Sequence, residues 1–220
     1  MATNQVSIRE VIAYGIVFDP KNSEALRTMD LQNLLSSIPR LFALLEERGV
    51  DYVLVGGIAM LVYVRGRNTQ DIDIILSADS LERLPEIGIE QQKGDFARGR
   101  LGELQVDLLL TDNALFDKVR REHTVRQQFA EREIPCATVD GLLLLKLFAL
   151  PSLYRQGQFD RVELYERDAA MLIREFRPYL SPIFEELEKH LLETDVAEIR
   201  NIVREIEERL ERTQKRFRDK

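Results

Sequence analysis

Residues 55–76 read VGGIAMLVYVRGRNTQDIDIIL and contain the pattern that decides the fold. An apolar run reaches the pair Gly56 and Gly57, and after a polar loop the aspartates Asp71 and Asp73 alternate with isoleucines. Successive side chains of a β-strand point to opposite faces, so the aspartates share one face and the isoleucines the other. The pattern therefore predicts a strand that buries its isoleucines in a core and presents two carboxylates together.

The paired carboxylates indicate a metal site. Two carboxylates on one strand face repel each other unless a positive charge lies between them. Mg²⁺ supplies that charge and suits one or two carboxylates together with substrate phosphates. A third candidate is Asp107 in the apolar stretch LQVDLLL, residues 104–110. If the two strands are neighbours, three carboxylates converge and can hold two ions for a phosphoryl displacement. The alternative is a solvent-facing Asp-x-Asp strand without a ligand.

The glycine pair fits the same chemistry. Gly56 and Gly57 stand where the apolar strand is expected to pass into a helix. Glycine lets the backbone approach a ligand closely, and the N-terminus of the following helix offers free N–H groups to a phosphate. The alternative is an ordinary tight turn. The residues alone therefore suggest a phosphate cradle beside a metal site, and leave both alternatives open.

Composition excludes several other classes of protein. The chain has 220 residues, 45% of them hydrophobic and 31% charged, which is typical of a soluble globular protein with one sizeable core. Its net charge of -7 gives no general basic field for duplex binding. The single cysteine, Cys136, excludes an intrachain disulfide, and with two histidines it argues against a His/Cys zinc site.

We expect a cytoplasmic protein without membrane contact. The N-terminal sequence MATNQVSIRE lacks the basic and apolar regions of a signal peptide. The longest mainly apolar run, residues 52–64, is shorter than the roughly 20 residues that a bilayer span requires.

The pattern along the chain predicts an α/β protein in three parts: an N-terminal arm at 1–30, an α/β core at 31–138 and a helical region at 139–220. Asp30 is a plausible cap for a helix that Pro39 could interrupt. The expected elements are helices at 31–48, 78–84 and 141–150, a short helix or turn at 58–64, strands at 51–55 and 71–76, and a hairpin at 96–110 with Gly99 or Gly102 near its turn. Residues 187–217 have the spacing of one amphipathic helix, or two with a break near Thr194, that packs on the protein or forms a homodimer.

In this order the motifs resemble the signature of the nucleotidyltransferase superfamily, whose members are polymerase-β-like. That signature has a hydrophobic residue and Gly-(Gly/Ser), then a spacer and Asp-hydrophobic-(Asp/Glu)-hydrophobic. The approach Arg67-x-Thr69-x-Asp71 is more similar to minimal bacterial and archaeal members, including abortive-infection toxins of toxin–antitoxin pairs. A lysine helix follows in that group, and LLLLKLFA at 142–149 places Lys146 at the lysine position.

The resemblance implies a nucleotidyltransferase fold with a mixed sheet flanked by helices and followed by a helical part. It also implies an Mg²⁺-dependent transfer of a nucleoside monophosphate from an NTP such as ATP to an acceptor hydroxyl. The acceptor could be an RNA or tRNA end, a protein or a small molecule, and the partner an antitoxin or toxin. Aminoglycoside-modifying enzymes share the fold. The alternative is a non-catalytic member that binds a nucleotide or a partner protein.

The resemblance also implies roles for individual residues. Two Mg²⁺ ions would be held by the catalytic carboxylates Asp71, Asp73 and Asp107. The NTP would be contacted by Gly56, Gly57, Arg67, Thr69 and Lys146. Arg67 and Thr69 are equally open to a structural role in ordering the loop before the strand. Lys146 has a structural alternative as well, with its stem on an apolar helix and its charge in solvent. Arg155 and Asp168 are the candidates for an Arg and an Arg-Asp pair that follow the lysine in this group.

Overall fold

A computed structural model describes residues 5–218 of the chain. Residues 1–4 of the predicted arm and 219–220 of the predicted helical region lie outside the described residues. The chain divides into two compact units, Met1–Thr138 and Val139–Lys220. Each unit has its own hydrophobic core.

The first unit is built from helices around one sheet. Its described helices are α1 (Ile8–Val17), α2 (Leu31–Glu47), α3 (Gly56–Tyr63), α4 (Ala78–Glu82) and α5 (Ala114–Glu122). Its described strands are β1 (Val53–Val55), β2 (Asp71–Leu76), β3 (Gly88–Lys93), β4 (Phe96–Leu101), β5 (Leu104–Leu110), β6 (Thr124–Gln128) and β7 (Glu133–Ala137). Two short 3-10 turns, Pro20–Asn22 and Ala25–Arg27, follow α1.

These strands form one mixed sheet in the order β3-β4-β5-β2-β1-β7-β6. Strand β2 lies at its centre, antiparallel to β1 and parallel to β5. Ile72 and Ile74 are fully buried on one face of β2, which is the face that the alternating pattern predicts. The mixed sheet and its flanking helices confirm the predicted fold class.

Helix α2 follows the prediction except at Pro39. The side chain of Asp30 caps it by accepting hydrogen bonds from the N–H groups of Gln32 and Asn33. The helix does not restart at Pro39 but continues through it as one element. A proline in a helix removes one backbone hydrogen bond. Burial of apolar side chains on both sides of it, including Ile38 and Phe42, outweighs that loss.

The N-terminal arm, for which the sequence was ambiguous, packs against the loop before β2. Helix α1 passes so close to this loop that a Cβ on Gly15 would lie 2.2 Å from the carbonyl oxygen of Thr69. The side-chain amide of Gln70 donates to Asp19 at 2.7 Å and accepts from Asn22 at 2.9 Å. The arm thereby holds the two residues that immediately precede Asp71.

The second unit is helical within the described residues. Its helices are α6 (Val139–Arg155), α7 (Phe159–Phe176), α8 (Leu180–Leu187) and α9 (Glu193–Arg218). The C-terminal prediction at 187–217 is observed largely as the single helix α9, which begins at Glu193 and continues through Thr194 without a break there. Among the helices of residues 5–218, none combines the length and the apolar composition that a membrane span needs.

Candidate active site

The three predicted carboxylates meet on one face of the central strands. Strands β2 and β5 run in parallel register, so that Asp73 pairs with Asp107 and Asp71 with Gln105. One oxygen from each of Asp71, Asp73 and Asp107 lies within 4.8 Å of the other two. Asp107 is 2% exposed, whereas Asp71 and Asp73 are half-buried. The sequence predicted that the three carboxylates converge if their strands are neighbours. The pairing of β2 with β5 meets that condition.

Each carboxylate of this triad is held by a polar partner. The Thr69 hydroxyl donates to Asp71 at 2.8 Å, and the backbone N–H of Gly57 donates to Asp73 at 3.3 Å. The side-chain amide of Gln105 stands 3.4 Å from an oxygen of Asp71 and 3.4 Å from one of Asp107. These contacts fix carboxylates that would otherwise repel one another.

Asp107 has a stronger partner, which the sequence analysis missed. The guanidinium of Arg98 donates to both Asp107 oxygens, from Nε at 2.7 Å and from Nη2 at 2.6 Å. This bidentate pair raises the pKa of Arg98, and the nearby Asp71 and Asp73 act in the same direction. The hairpin of β4 and β5 pairs Arg98 directly with Asp107. A register counted outward from Leu101 and Leu104 would have revealed this partner.

Side chains of the site lie so close to Gly56 and Gly57 that only glycine fits at these two positions. Gly56 has a φ of +63°, and a Cβ built on it would lie 1.8 Å from an oxygen of Asp73. A Cβ on Gly57 would lie 2.4 Å from the Thr69 hydroxyl oxygen. Helix α3 begins at this pair without a side-chain cap, so its first turn offers N–H groups beside the carboxylates. The glycines therefore make room for the side chains of Asp73 and Thr69.

We expect the substitution Gly56→Ala to disrupt this site more than it disrupts the fold. The new methyl group must displace Asp73, whereas Gly49→Ala carries a similar left-handed strain at φ +57° with nothing within 4 Å. Both variants should lose about 1–2 kcal/mol of stability from backbone strain. Only Gly56→Ala should also lose divalent-ion affinity, by about tenfold or more, as measured by Mn²⁺ titration. Equal Mn²⁺ affinities in the two variants would contradict the assignment.

The remaining predicted site residues have separate locations. Arg67 is half-buried in the loop between α3 and β2. Thr69 is 7% exposed and bonds Asp71, which makes it part of the carboxylate network. Lys146, Arg155 and Asp168 belong to the second unit. Whether Arg67 and Lys146 contact a nucleotide stays a prediction.

Lys146 forms a buried ion pair within the second unit. Its ammonium nitrogen lies 3.0 Å from Oδ2 of Asp168 and 3.9 Å from the centre of the Tyr165 ring. The side chains of Lys146 and Asp168 are 5% and 0% exposed, so the alternative of a lysine with its charge in solvent is wrong. Arg155 instead pairs with Asp195 at 2.8 Å and is largely exposed.

The triad fits a hard divalent cation. Its donors are all carboxylate oxygens, the ligands that Mg²⁺ prefers, and they converge within one coordination sphere or two adjacent ones. Cys136, by contrast, is buried near the C-terminal end of β7, and burial raises the pKa of its thiol to about 12. Within residues 5–218, Cys136 belongs to no cluster of three or more potential metal ligands.

Comparison with known proteins places the fold. No protein-family model matches the sequence. No curated protein matches it either. The structure is similar to an antigenic nucleotidyltransferase-like protein from Paracoccidioides brasiliensis, with a TM-score of 0.54 and 16% identity over 82% of this chain and 93% of that one. It is also similar to ANT(2")-Ia in complex with adenylyl-2"-tobramycin, with a TM-score of 0.50 and 13% identity over 76% and 96% of the two chains. The chain therefore has the nucleotidyltransferase fold, as its sequence motifs imply.

Proposed function

We propose that this protein is an Mg²⁺-dependent nucleotidyltransferase that moves a nucleoside monophosphate from an NTP to an acceptor hydroxyl. The observation that carries the proposal is the convergence of Asp71, Asp73 and Asp107 within 4.8 Å. The glycine pair adjoins them, because Gly57 bonds Asp73 directly. Arg98 compensates the charge of Asp107, and a divalent ion would compensate the remaining repulsion between Asp71 and Asp73.

The triad would hold two Mg²⁺ ions. Ions held there would supply positive charge to balance the negative charge that develops in a phosphoryl displacement. The protein's own residues orient the ligands, with Thr69 bonded to Asp71 and the Gly57 N–H bonded to Asp73. Asp107 would accept the proton of the incoming hydroxyl once its carboxylate is freed from other partners.

The nucleotide phosphates would lie at the N-terminus of α3. The first-turn N–H groups and the positive end of the helix favour an anion at this place. Arg67 and Lys146 would add cationic contacts to the triphosphate, as the family resemblance implies. The Thr69 hydroxyl would act on the nucleotide only indirectly, because it already donates to Asp71 at 2.8 Å.

The proposal also covers the class of acceptor and the biological setting of the reaction. The acceptor hydroxyl would belong to an RNA or tRNA end, a protein or a small molecule. A toxin–antitoxin or phage-defence setting would add a partner protein, and a homodimer would form through the C-terminal helical segment at 187–217. ANT(2")-Ia, which shares the fold, was solved with an adenylylated tobramycin. At 13% identity this likeness does not choose among the acceptors.

The second candidate function is a non-catalytic member that binds a nucleotide or a partner protein. The observation that favours it is the ion pair of Asp107 with Arg98, which engages both oxygens of the third carboxylate. In a site that never takes up a second ion, this pair would be permanent. The two candidates differ in whether pyrophosphate is released.

A pyrophosphate assay separates these two functions. The protein is incubated with each of the four NTPs and a cell extract, once with Mg²⁺ and once with EDTA. The transferase should release pyrophosphate with at least one NTP and only in Mg²⁺. Binding of Mg-NTP without any pyrophosphate would instead support the non-catalytic candidate.

Asp107→Ala should abolish most pyrophosphate release while Mg-NTP still binds, because Asp71, Asp73 and the glycine pair remain. The matched control is Asp79→Ala, which removes an exposed acid in α4. NTP titration and turnover are measured for both variants. Full turnover in Asp107→Ala would move the third carboxylate to another residue, for which Glu103 and Asp112 are the candidates.

A further inference from the structure

The guanidinium of Arg98 places a positive charge beside Asp107, where a bound metal ion would also place one. Two N–H groups of its guanidinium contact the two Asp107 oxygens at 2.7 and 2.6 Å. Asp107 itself is almost fully buried, so the pair is only partly screened by water. A fork-to-fork pair of this kind is the strongest contact that a single arginine makes with a carboxylate.

The guanidinium of Arg98 and a divalent ion cannot both bind Asp107 without repelling each other. Asp71, Asp73 and Asp107 carry three negative charges when ionised, and Arg98 carries one positive charge. Each carboxylate oxygen has a second lone pair, so geometry alone would allow a metal ion on Asp107. A divalent ion there would, however, lie within a few ångströms of the guanidinium and be strongly repelled by it.

The surroundings of Arg98 give its guanidinium another place to go. Its side chain is 31% exposed, so one side of it already faces solvent. Phe96 lies two residues earlier on the same face of β4, and the centre of its ring is 5.8 Å from the guanidinium carbon. An aromatic face stabilises a cation at such a distance, so Arg98 could leave Asp107 without losing all its contacts.

We propose that Arg98 is a built-in counter-ion, which holds Asp107 while the site contains no metal and withdraws when a divalent ion binds there. The inference rests on the metal-dependent transferase proposed above and deepens it. Arg98 is then a positioning residue, and it makes the affinities of the two ion positions unequal. The ion between Asp71 and Asp73 binds without displacing an arginine, whereas the ion on Asp107 must compete with one. The negative charge of the NTP phosphates favours that second ion, so it binds together with the nucleotide.

The test is a Mn²⁺ titration of three proteins, read by the electron paramagnetic resonance of free Mn²⁺. The proteins are the wild type, Arg98→Gln and Arg100→Gln. Arg100 is the matched control because it lies on the same face of β4 and pairs instead with Glu90 at 2.9 Å. Without nucleotide, the wild type should bind one ion tightly. Arg98→Gln should bind a second ion at least about tenfold more tightly than the wild type does, since the competing charge is gone.

Thermal denaturation gives a second readout that does not depend on activity. In EDTA, the three carboxylates of Arg98→Gln have lost their cation, and the melting temperature should fall by about 5 °C. Mn²⁺ should restore it. Arg100→Gln should behave as the wild type does in both measurements. If Arg98→Gln gained no affinity for the second ion, or if both variants shifted equally, the counter-ion role would be overturned.

A measurement on the wild type covers the case in which Arg98→Gln does not fold. In protein labelled with ¹⁵N, the Nε–H signal of Arg98 should be protected from solvent exchange while it is bonded to Asp107. Adding Mg²⁺ and a non-hydrolysable NTP analogue should remove that protection. Persistent protection in the protein loaded with Mg²⁺ and the analogue would overturn the counter-ion role of Arg98. The proposed transferase activity would not be affected by that result. Failure of the wild type to bind any Mn²⁺ at the triad would overturn the proposed function as well.

Discussion

Asp73→Asn should lower pyrophosphate release by at least about a hundredfold in saturating Mg²⁺. Asparagine keeps the shape of the side chain and its packing in β2, but it removes a charged ligand from the centre of the triad. Asp73 lies opposite Asp107 across the parallel strands and accepts the Gly57 N–H, so it links the carboxylate triad to the glycine pair. Release is measured with the NTP that the wild type prefers.

The same substitution should leave the fold intact. The melting temperature should be unchanged or slightly raised, because one of three repelling charges is gone. Asp79→Asn, which changes an exposed acid in α4, is the control for a general loss of charge. Near-normal turnover of Asp73→Asn would show that the triad is not the catalytic metal site.

Lys146→Met should have the largest effect on stability, a loss of about 3–5 kcal/mol in the free energy of unfolding. Asp168 is 0% exposed, and the substitution takes away the ammonium that lies 3.0 Å from it. A buried carboxylate that loses its cation keeps its desolvation cost without the compensating attraction. Urea denaturation of the variant and the wild type measures the difference.

A double variant separates this structural role from a phosphate contact. In Lys146→Met/Asp168→Leu both charges are replaced by apolar groups, so most of the lost stability should return. If Lys146 also binds the triphosphate, the NTP affinity of the double variant should stay low although its stability recovers. Recovery of both would make Lys146 a purely structural residue. A double variant no more stable than Lys146→Met would contradict the ion-pair account.

The sequence predicted those features of the structure that depend on residues close together along the chain. The alternation of Asp71 and Asp73 with isoleucines predicts strand β2 with its observed ends, because a strand buried on one face imposes a two-residue period. The glycine pair before α3 was also recognisable. Its close contacts with Asp73 and Thr69 were not, because they join residues that are distant in sequence.

Other parts of the structure left little trace in the sequence. Strand β3 is exposed along its whole length, so it has no apolar alternation to detect. The pairing of Arg98 with Asp107 depends on the hairpin register, and the sequence analysis left open whether Gly99 or Gly102 forms the turn. The structure places Gly102 there, with a φ of +59°. The buried pair of Lys146 and Asp168 joins two helices and could not be inferred from either helix alone.

The most direct test of the central claim follows a labelled phosphate. Wild-type protein and Asp71→Asn are each incubated with Mg²⁺, a cell extract and the preferred NTP, labelled on the α-phosphate in one reaction and on the γ-phosphate in another. We predict that the wild type transfers the α-label, and not the γ-label, to an RNA, protein or small-molecule fraction, and that Asp71→Asn transfers neither. Transfer of the γ-label, equal transfer by Asp71→Asn, or no transfer by the wild type would contradict a nucleotidyltransferase centred on the three aspartates.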